Sequence, residues 1–346
     1  MNKFKRRRLF VLVVAVLGIS LVLGYVNRGA LRNAWDVVSG ADFNGTGHGS
    51  ITLVINEGDD GAVIAQKLVD LNVVKSYRSV YKLLISRNQV FYPGTYQLKL
   101  EMSSGAALDA IANPSNRVSN KVTIKEGWRI TKVLSELATQ TGIPIDEFRS
   151  AAQNLDLLGI PRAEVSAEGW LFPATYDFDP GLSASSVLKQ MVARMKQELQ
   201  HFGVSDLDAH KVLTLAALVQ AEARLEADFY KVSRVFLNRI EQGMRLQSDA
   251  TVSYGVNGKT VSTSAADRAN QNGYNTYLHD GLPIGPISAP GSVAIDAALH
   301  PAVGKWLYFC AINLKTGETE FNETYAQHAK SVAKWRQWML ENPGYE

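Results

Sequence analysis

The sequence predicts an α+β protein attached to a membrane, and three observations carry that prediction. An uncharged run of 18 residues lies next to the N-terminus, a strand-turn-helix pattern occurs twice, and two adjacent helical segments are followed by turn-rich sequence and a closing hairpin. The composition fits: 346 residues, 46% hydrophobic and 20% charged, describe an ordinary folded chain long enough for two or three domains. The formal net charge is +3, but Lys3, Lys5, Arg6, Arg7 and Arg8 all precede the apolar run, and the remainder is slightly acidic. A nucleic-acid binder would carry positive charge on its folded surface, so that class is excluded.

Leu9 to Val26 (LFVLVVAVLGISLVLGYV) spans about 27 Å as a helix, close to the thickness of a bilayer core. Basic residues ahead of it predict a cytoplasmic N-terminus, a single pass through the cell membrane, and everything downstream on the outer face. A cleaved signal peptide is the competing reading; the run is long for one and no small-residue cleavage site follows. The single cysteine, Cys310, rules out an intrachain disulfide framework and reads as a small core residue. The segment Asp36 to Ser50 is rich in Gly, Ser and Asn and is predicted to be a flexible tether.

LVINEGDDGAVIAQKLVDLNVV (Leu53 to Val74) aligns with VTIKEGWRITKVLSELATQTGI (Val122 to Ile143) at an offset of 69 residues, matching Glu57-Gly58 to Glu126-Gly127 and Ile64 and Leu68 to Val133 and Leu137. Each copy predicts a short strand, a Glu-Gly turn and an amphipathic helix. In the first copy a helix over Tyr77 to Arg87 and a strand from Gly94 to Leu100 follow. This small unit resembles the LysM domains that bind cell-wall glycan, although the repeat also reads as packing and spacing alone, without an aromatic sugar platform. The predicted organisation is a basic tail (residues 1–8), a transmembrane helix (9–26), a linker (27–50), a LysM-like module (51–118) and a domain of helices packed on antiparallel sheet (119–346).

Candidate chemistry concentrates in that last domain. In AEGWLFPATYDF (Ala167 to Phe178), Trp170, Phe172 and Tyr176 suit either a sugar groove or the core. Asp206 to Arg224 predicts a helix with Ser205 or Asp206 at its start, and within LAALVQAEAR the carboxylate Glu222 falls on the face of Leu215, Leu218 and Val219. A second helix, Glu226 to Gln242, closes on Gly243 and carries Arg239 on its apolar stripe. Arg239 would orient a carboxylate or a sugar group, be paired structurally, or reach solvent from the helix end. MRLQSDATVSYG and NGYNTYLHDGLPIGPISAPG follow, then a hairpin of Trp306–Asn313 and Glu318–Phe321.

The succession LAALVQAEA, VFLNRI, MRLQSDATVSYG, YNTY, GLPIGPISAPG and a closing strand with LYF resembles the YceG-like endolytic murein transglycosylases, over about Ser50 to the C-terminus. The resemblance implies cleavage of nascent peptidoglycan strands between N-acetylmuramic acid and N-acetylglucosamine, leaving 1,6-anhydromuramyl ends, with cell-wall synthases or divisome proteins as candidate neighbours. Its catalytic glutamate matches Glu222; Ala217 replaces the usual Ser, Gln220 a frequent first Glu, and Ala174 a frequent Asp. An acid desolvated on an apolar face keeps its proton near neutral pH, as protonation of a leaving oxygen requires. Asp249 is the candidate second carboxylate or a turn former, and Gln247, Tyr274, Asn275 and Tyr277 are candidate sugar contacts or turn scaffold. The six histidines show no metal-ligand spacing, G-x-S-x-G is absent, and no cofactor or metal is expected. Two rivals remain: a wall-binding scaffold that cuts nothing, and a muramidase that adds water with Asp249 as partner.

Overall fold

The computed structural model describes residues 40–161, 164–258 and 263–344. The basic tail and the apolar run Leu9–Val26 lie outside these residues, and among the described ones no helix is long and apolar enough to cross a membrane. The chain divides into two compact units between Ser119 and Asn120.

In the first unit, β1 (Thr46–Ile55) leads through a turn into α1 (Gly61–Asp70) and α2 (Tyr77–Arg87), and the chain returns as β2 (Gly94–Met102). Local chemistry fixes the helix starts: Asp60 accepts from the Val63 N–H and Ser76 from the Ser79 N–H, each satisfying an otherwise orphaned donor. β2 pairs antiparallel with β1, Leu53 facing Tyr96, and on its other edge with the two-residue β3 (Arg117–Val118), behind α3 (Ser104–Ala112). Alternate residues of β1, Leu53 and Ile55, join Ile64, Leu68, Val80, Leu84 and Leu108 in one core, while Val54 between them faces out. The expected flexible linker is corrected at its end. Asp42 accepts from both the N–H and the hydroxyl of Ser104 at the start of α3, and the glycine-rich stretch from Thr46 is already strand.

The second unit opens with the other copy of the repeat: β4 (Asn120–Thr123), the Glu126-Gly127 turn, and α4 (Ile130–Thr141). Gly58 and Gly127 both take left-handed φ, +87° and +73°, which lets the chain reverse from strand into helix without a Cβ penalty. Ile64 and Leu68 in α1 and Val133 and Leu137 in α4 are the buried residues of equivalent turns. β4 pairs with β5 (Thr175–Phe178), Val122 facing Tyr176.

Helices dominate the rest: α5 (Ile145–Gln153), α6 (Leu155–Leu158), α7 (Ala184–His201), α8 (Asp206–Glu222), α9 (Glu226–Glu241), α10 (Asp249–Gly255), α11 (Ala265–Arg268) and α12 (Ser292–Leu299). A hairpin, β6 (Tyr308–Asn313) and β7 (Glu318–Asn322), is followed by α13 (Tyr325–Glu341), an element absent from the sequence expectation. Thr324 and Gln327 start α13 with a reciprocal capping box. The expectation of helices on an antiparallel sheet is thus met only coarsely. In this second unit each pair of strands is a separate two-stranded ribbon, and the core is mainly helical.

α8 is central. Every residue from Leu213 to Val219 is buried, so the helix has no solvent face along its middle and the expected one-sided stripe is replaced by burial all round. Trp170, Leu171 and Phe172 are buried in the same core, which excludes Trp170 and Phe172 from a sugar groove. The Tyr176 hydroxyl donates to the Phe172 carbonyl at 2.7 Å, closing the turn around Pro173.

Candidate active site

Glu222 is the last helical residue of α8, at the point where the backbone turns extended at Ala223. The helix therefore carries the residue out of the core to a rim. The C-terminal end of a helix is the negative end of its dipole, which disfavours a carboxylate. Burial of the carboxyl is the largest influence and holds its pKa above the usual 4.5; the Asp249 charge pushes the same way, while a hydrogen bond from Ser248 and the Arg239 charge oppose it. Ser248 Oγ donates to Glu222 Oε1 at 2.6 Å.

Ser248 is itself held rigidly. Its N–H donates to Thr276 Oγ1 at 3.0 Å, its carbonyl accepts from Thr251 Oγ1 at 2.8 Å, and the adjacent Gln247 N–H donates to the Thr276 carbonyl at 3.1 Å. Two segments far apart in sequence, 245–251 and 275–277, are stitched together beneath the acid. Because Ser248 favours the ionised form, replacing it by alanine is expected to raise the Glu222 pKa further. The alkaline limb of the pH–rate profile then moves to higher pH, and a limb that stays or moves down contradicts the assignment.

Arg239 serves this frame. Its Nε donates to the Leu307 carbonyl at 2.7 Å and its Nη1 to the Leu246 carbonyl at 2.8 Å, with the guanidinium lying over the Tyr308 ring at 5.2 Å. Of the roles expected for it, the structural one is observed, and its partners are backbone carbonyls rather than a carboxylate. Arg224 likewise donates to the Leu314 carbonyl, so the alternative of Glu222 as half of an ion pair with either arginine is not what the structure contains.

Asp249 begins α10 beside Glu222 and accepts from the Tyr277 hydroxyl at 3.0 Å and from Thr263 Oγ1. Asn275 is a correction: it is 0% exposed and its amide donates to the carbonyls of Arg268 and Asn270 while its oxygen accepts from the Tyr277 N–H, so it shapes the loop and offers nothing to a sugar. Gln247 is exposed with a left-handed φ of +51°, and Tyr274 packs its ring 4.6 Å from that of Tyr254.

A groove of about 1080 Å³ passes the end of α8, lined by Gln220 and Ala221, by Ala250 and Tyr254 of α10, and by Tyr274 and Trp128. Its floor holds a second acid that sequence reasoning missed. Glu168 is 1% exposed, accepts the Ile130 N–H on both oxygens at 3.0 and 2.9 Å and the Tyr254 hydroxyl at 3.1 Å, and burial raises its pKa to about 7. It caps α4, whose own N-cap residue Arg129 makes no side-chain capping bond. The signal was available, since Glu168 is an acid in an apolar run just as Glu222 is. Next to it Gly169 has φ +78°, and a Cβ there would meet Pro286 Cβ at 2.5 Å, so only glycine lets the GLPIGPISAPG loop close on the groove. Gln220 accepts the Gly291 N–H at 3.0 Å and secures the same loop from α8. Among the described residues no group of three or more His, Cys, Asp or Glu is placed to hold a metal ion. Burial pushes the Cys310 thiol pKa up, away from nucleophilic use.

The profile of the YceG-like family matches residues 53–334, which takes in most of both units. The chain belongs to the YceG-like family. The similar proteins carry a common description. An "endolytic murein transglycosylase" of Bacillus subtilis (strain 168) is 28% identical over 307 residues, covering 83% of this chain and 85% of the relative. One of Streptococcus pneumoniae (strain D39) is 25% identical over 324 residues, covering 82% of this chain and 58% of that longer protein. A crystal structure of a YceG-like protein from Listeria monocytogenes superposes with a TM-score of 0.55 at 26% identity, covering 82% of this chain and 99% of that one. In this YceG-like chain the buried acid, its serine donor and the glycine-shaped loop therefore lie within the matched residues.

Proposed function

We propose that this YceG-like protein is an endolytic murein transglycosylase, with Glu222 as its acid and then its base. The observation that carries the reading is a carboxyl next in sequence to the groove-lining Ala221, with its pKa raised by burial and a hydrogen bond from a fixed serine. Glu222 gives its proton to the glycosidic oxygen between N-acetylmuramic acid and N-acetylglucosamine as the bond to the muramyl C1 breaks. The muramyl C6 hydroxyl attacks C1, and the Glu222 carboxylate takes the proton that hydroxyl loses. The product is a 1,6-anhydro sugar, no water is consumed, and the acid returns to its starting state. Intramolecular attack removes the need for a second nucleophilic carboxylate.

The nearness of Asp249 favours one second reading, hydrolysis with Asp249 activating water. Its hydrogen bonds from Tyr277 and Thr263 suit instead a fixed carboxylate that raises the Glu222 pKa. Leu9–Val26 anchors the chain in the cell membrane with both units on the outer face, beside the synthases that make the strands. The first unit, in the LysM-like reading, retains glycan at a cavity of about 490 Å³ between the start of α1 and the end of α2, lined by Asp60, Gly61, Tyr81, Ile85 and Phe91.

Mass spectrometry of peptidoglycan digested by the full chain in detergent tests the reaction. Anhydromuramyl ends inside former strands are expected. Reducing ends would establish the muramidase, and bound but uncut strands would establish a scaffold.

A further inference from the structure

The groove that passes the end of α8 carries charge that the reaction above does not use. Among the described residues that line it, the charged ones are Arg129, Lys132 and Glu168. Glu168 is 1% exposed and burial raises its pKa to about 7, so the charge a ligand meets there is positive. The fold places both cations. The Gly127 N–H donates to the Ala289 carbonyl and the Ala289 N–H to the Trp128 carbonyl, both at 2.8 Å, which pins the turn before α4 to the GLPIGPISAPG loop. The same turn lies against α8, since a Cβ built on Gly127 would stand 3.7 Å from Cγ of Gln220, two residues before Glu222. Arg129 donates from Nη1 to the Gly258 carbonyl at 2.8 Å and from Nη2 to Ser253 Oγ at 3.1 Å, with its guanidinium 5.3 Å from the centre of the Tyr254 ring. The Lys132 ammonium stands over the Trp128 ring at 5.1 Å, and its side chain is 58% exposed. Structural duties do not account for Lys132. Its ion pair with Glu136 is long, 3.9 Å, and has the weaker lysine-before-glutamate order. In the first turn of α4 a cation also opposes the helix dipole, and no acid in that turn offsets it.

We infer that Lys132, backed by Arg129, binds a carboxylate of the peptide borne by a muramyl residue, so that the enzyme prefers strands whose peptides keep their charge. The inference rests on the proposed cleavage of peptidoglycan and adds which part of the strand the groove reads. The sugar rings of such a strand carry no ionised group. Its carboxylates belong to the peptides attached to the muramyl lactyl groups, and a neutral glycan would give the two cations no partner. A peptide carboxylate meets an ammonium already held over a ring face inside a groove, where salt screens a pair less than on open surface. The volume of about 1080 Å³ lies at the top of the range for small-molecule sites and leaves room for a substituent beside the rings.

The test uses full-length protein in detergent and uncrosslinked peptidoglycan strands in two forms, native and with the peptide carboxylates converted to amides by carbodiimide and excess ammonia. Wild type is expected to show a KM about fivefold lower on the native form. Lys132→Ala should lose that preference through a higher KM on native strands, and Lys132→Arg should keep it. Because the Lys132 side chain is exposed, the thermal midpoint should not move. Equal KM values for the two forms in wild type, or an undiminished preference in Lys132→Ala, overturns the inference while leaving the cleavage reaction standing. Binding of the same two forms by Glu222→Gln and by Glu222→Gln/Lys132→Ala reads the contact without turnover. A preference lost only in the double variant supports the inference even if the wild type proves to cut nothing, and a preference equal in both, or absent from both, overturns it.

Discussion

Glu222→Gln is expected to reduce peptidoglycan cleavage by about 10³-fold or more, because one side chain supplies both proton transfers and the amide can perform neither. The fold should be unaffected. Glutamine is nearly isosteric, its carbonyl oxygen still accepts from Ser248, and it removes the cost of ionising a buried carboxyl at the rim of α8. Circular dichroism and the thermal midpoint check the fold, and the anhydromuramyl yield checks the chemistry. Retained turnover in a folded variant would remove Glu222 from the mechanism and direct attention to Glu168.

Glu168 gives the second large effect, on stability rather than rate. Its carboxyl has a pKa of about 7 in the fold against 4.5 when free, so the fold binds its proton more tightly than the unfolded chain does. The sign follows from that difference. The stabilisation is fully present below pH 4.5, is lost as pH rises toward about 7, and amounts to about 3 kcal/mol over that window. Glu222 acts in the same direction, so wild type must be compared with Glu168→Gln to isolate one group. Denaturant unfolding followed by tryptophan fluorescence suits the purpose, since Trp128, Trp170, Trp306, Trp335 and Trp338 all fall in the second unit. The advantage of wild type over the variant should shrink between pH 4.5 and 7; an advantage that grows would show a carboxylate stabilised by Arg129 and the Ile130 N–H instead.

The parts of the fold legible in the sequence are those set by neighbours along the chain. Ser205 caps α8 through the Asp208 N–H, α9 ends just before Gly243, and the two Glu-Gly turns announce two strand-helix joints. Glu222 was legible because an acid in an apolar helical segment is costly wherever the helix packs. What escaped depends on partners distant in sequence. Asn275 reads as a sugar ligand until the carbonyls of Arg268 and Asn270 are seen to occupy its amide. Arg239 reads as a ligand for an acid until Leu246 and Leu307 are found on its guanidinium. Trp170 reads as a platform until it is found 0% exposed within the core that surrounds α8. Ser248, which donates directly to the acid, drew no notice in the sequence because its place under Glu222 is set by Thr276, 28 residues further on.

The central claim concerns the protonation of one carboxyl, and carbon-13 NMR of protein labelled at the glutamate side-chain carboxyl reads it directly. Spectra of Glu222→Gln and Glu168→Gln assign these two resonances by loss. The Glu222 resonance is expected to titrate above 4.5, and to shift higher still in Ser248→Ala. A carboxyl that ionises at or below 4.5 would be a solvated or charge-paired group with no proton to give at neutral pH, and the proposed chemistry would not stand.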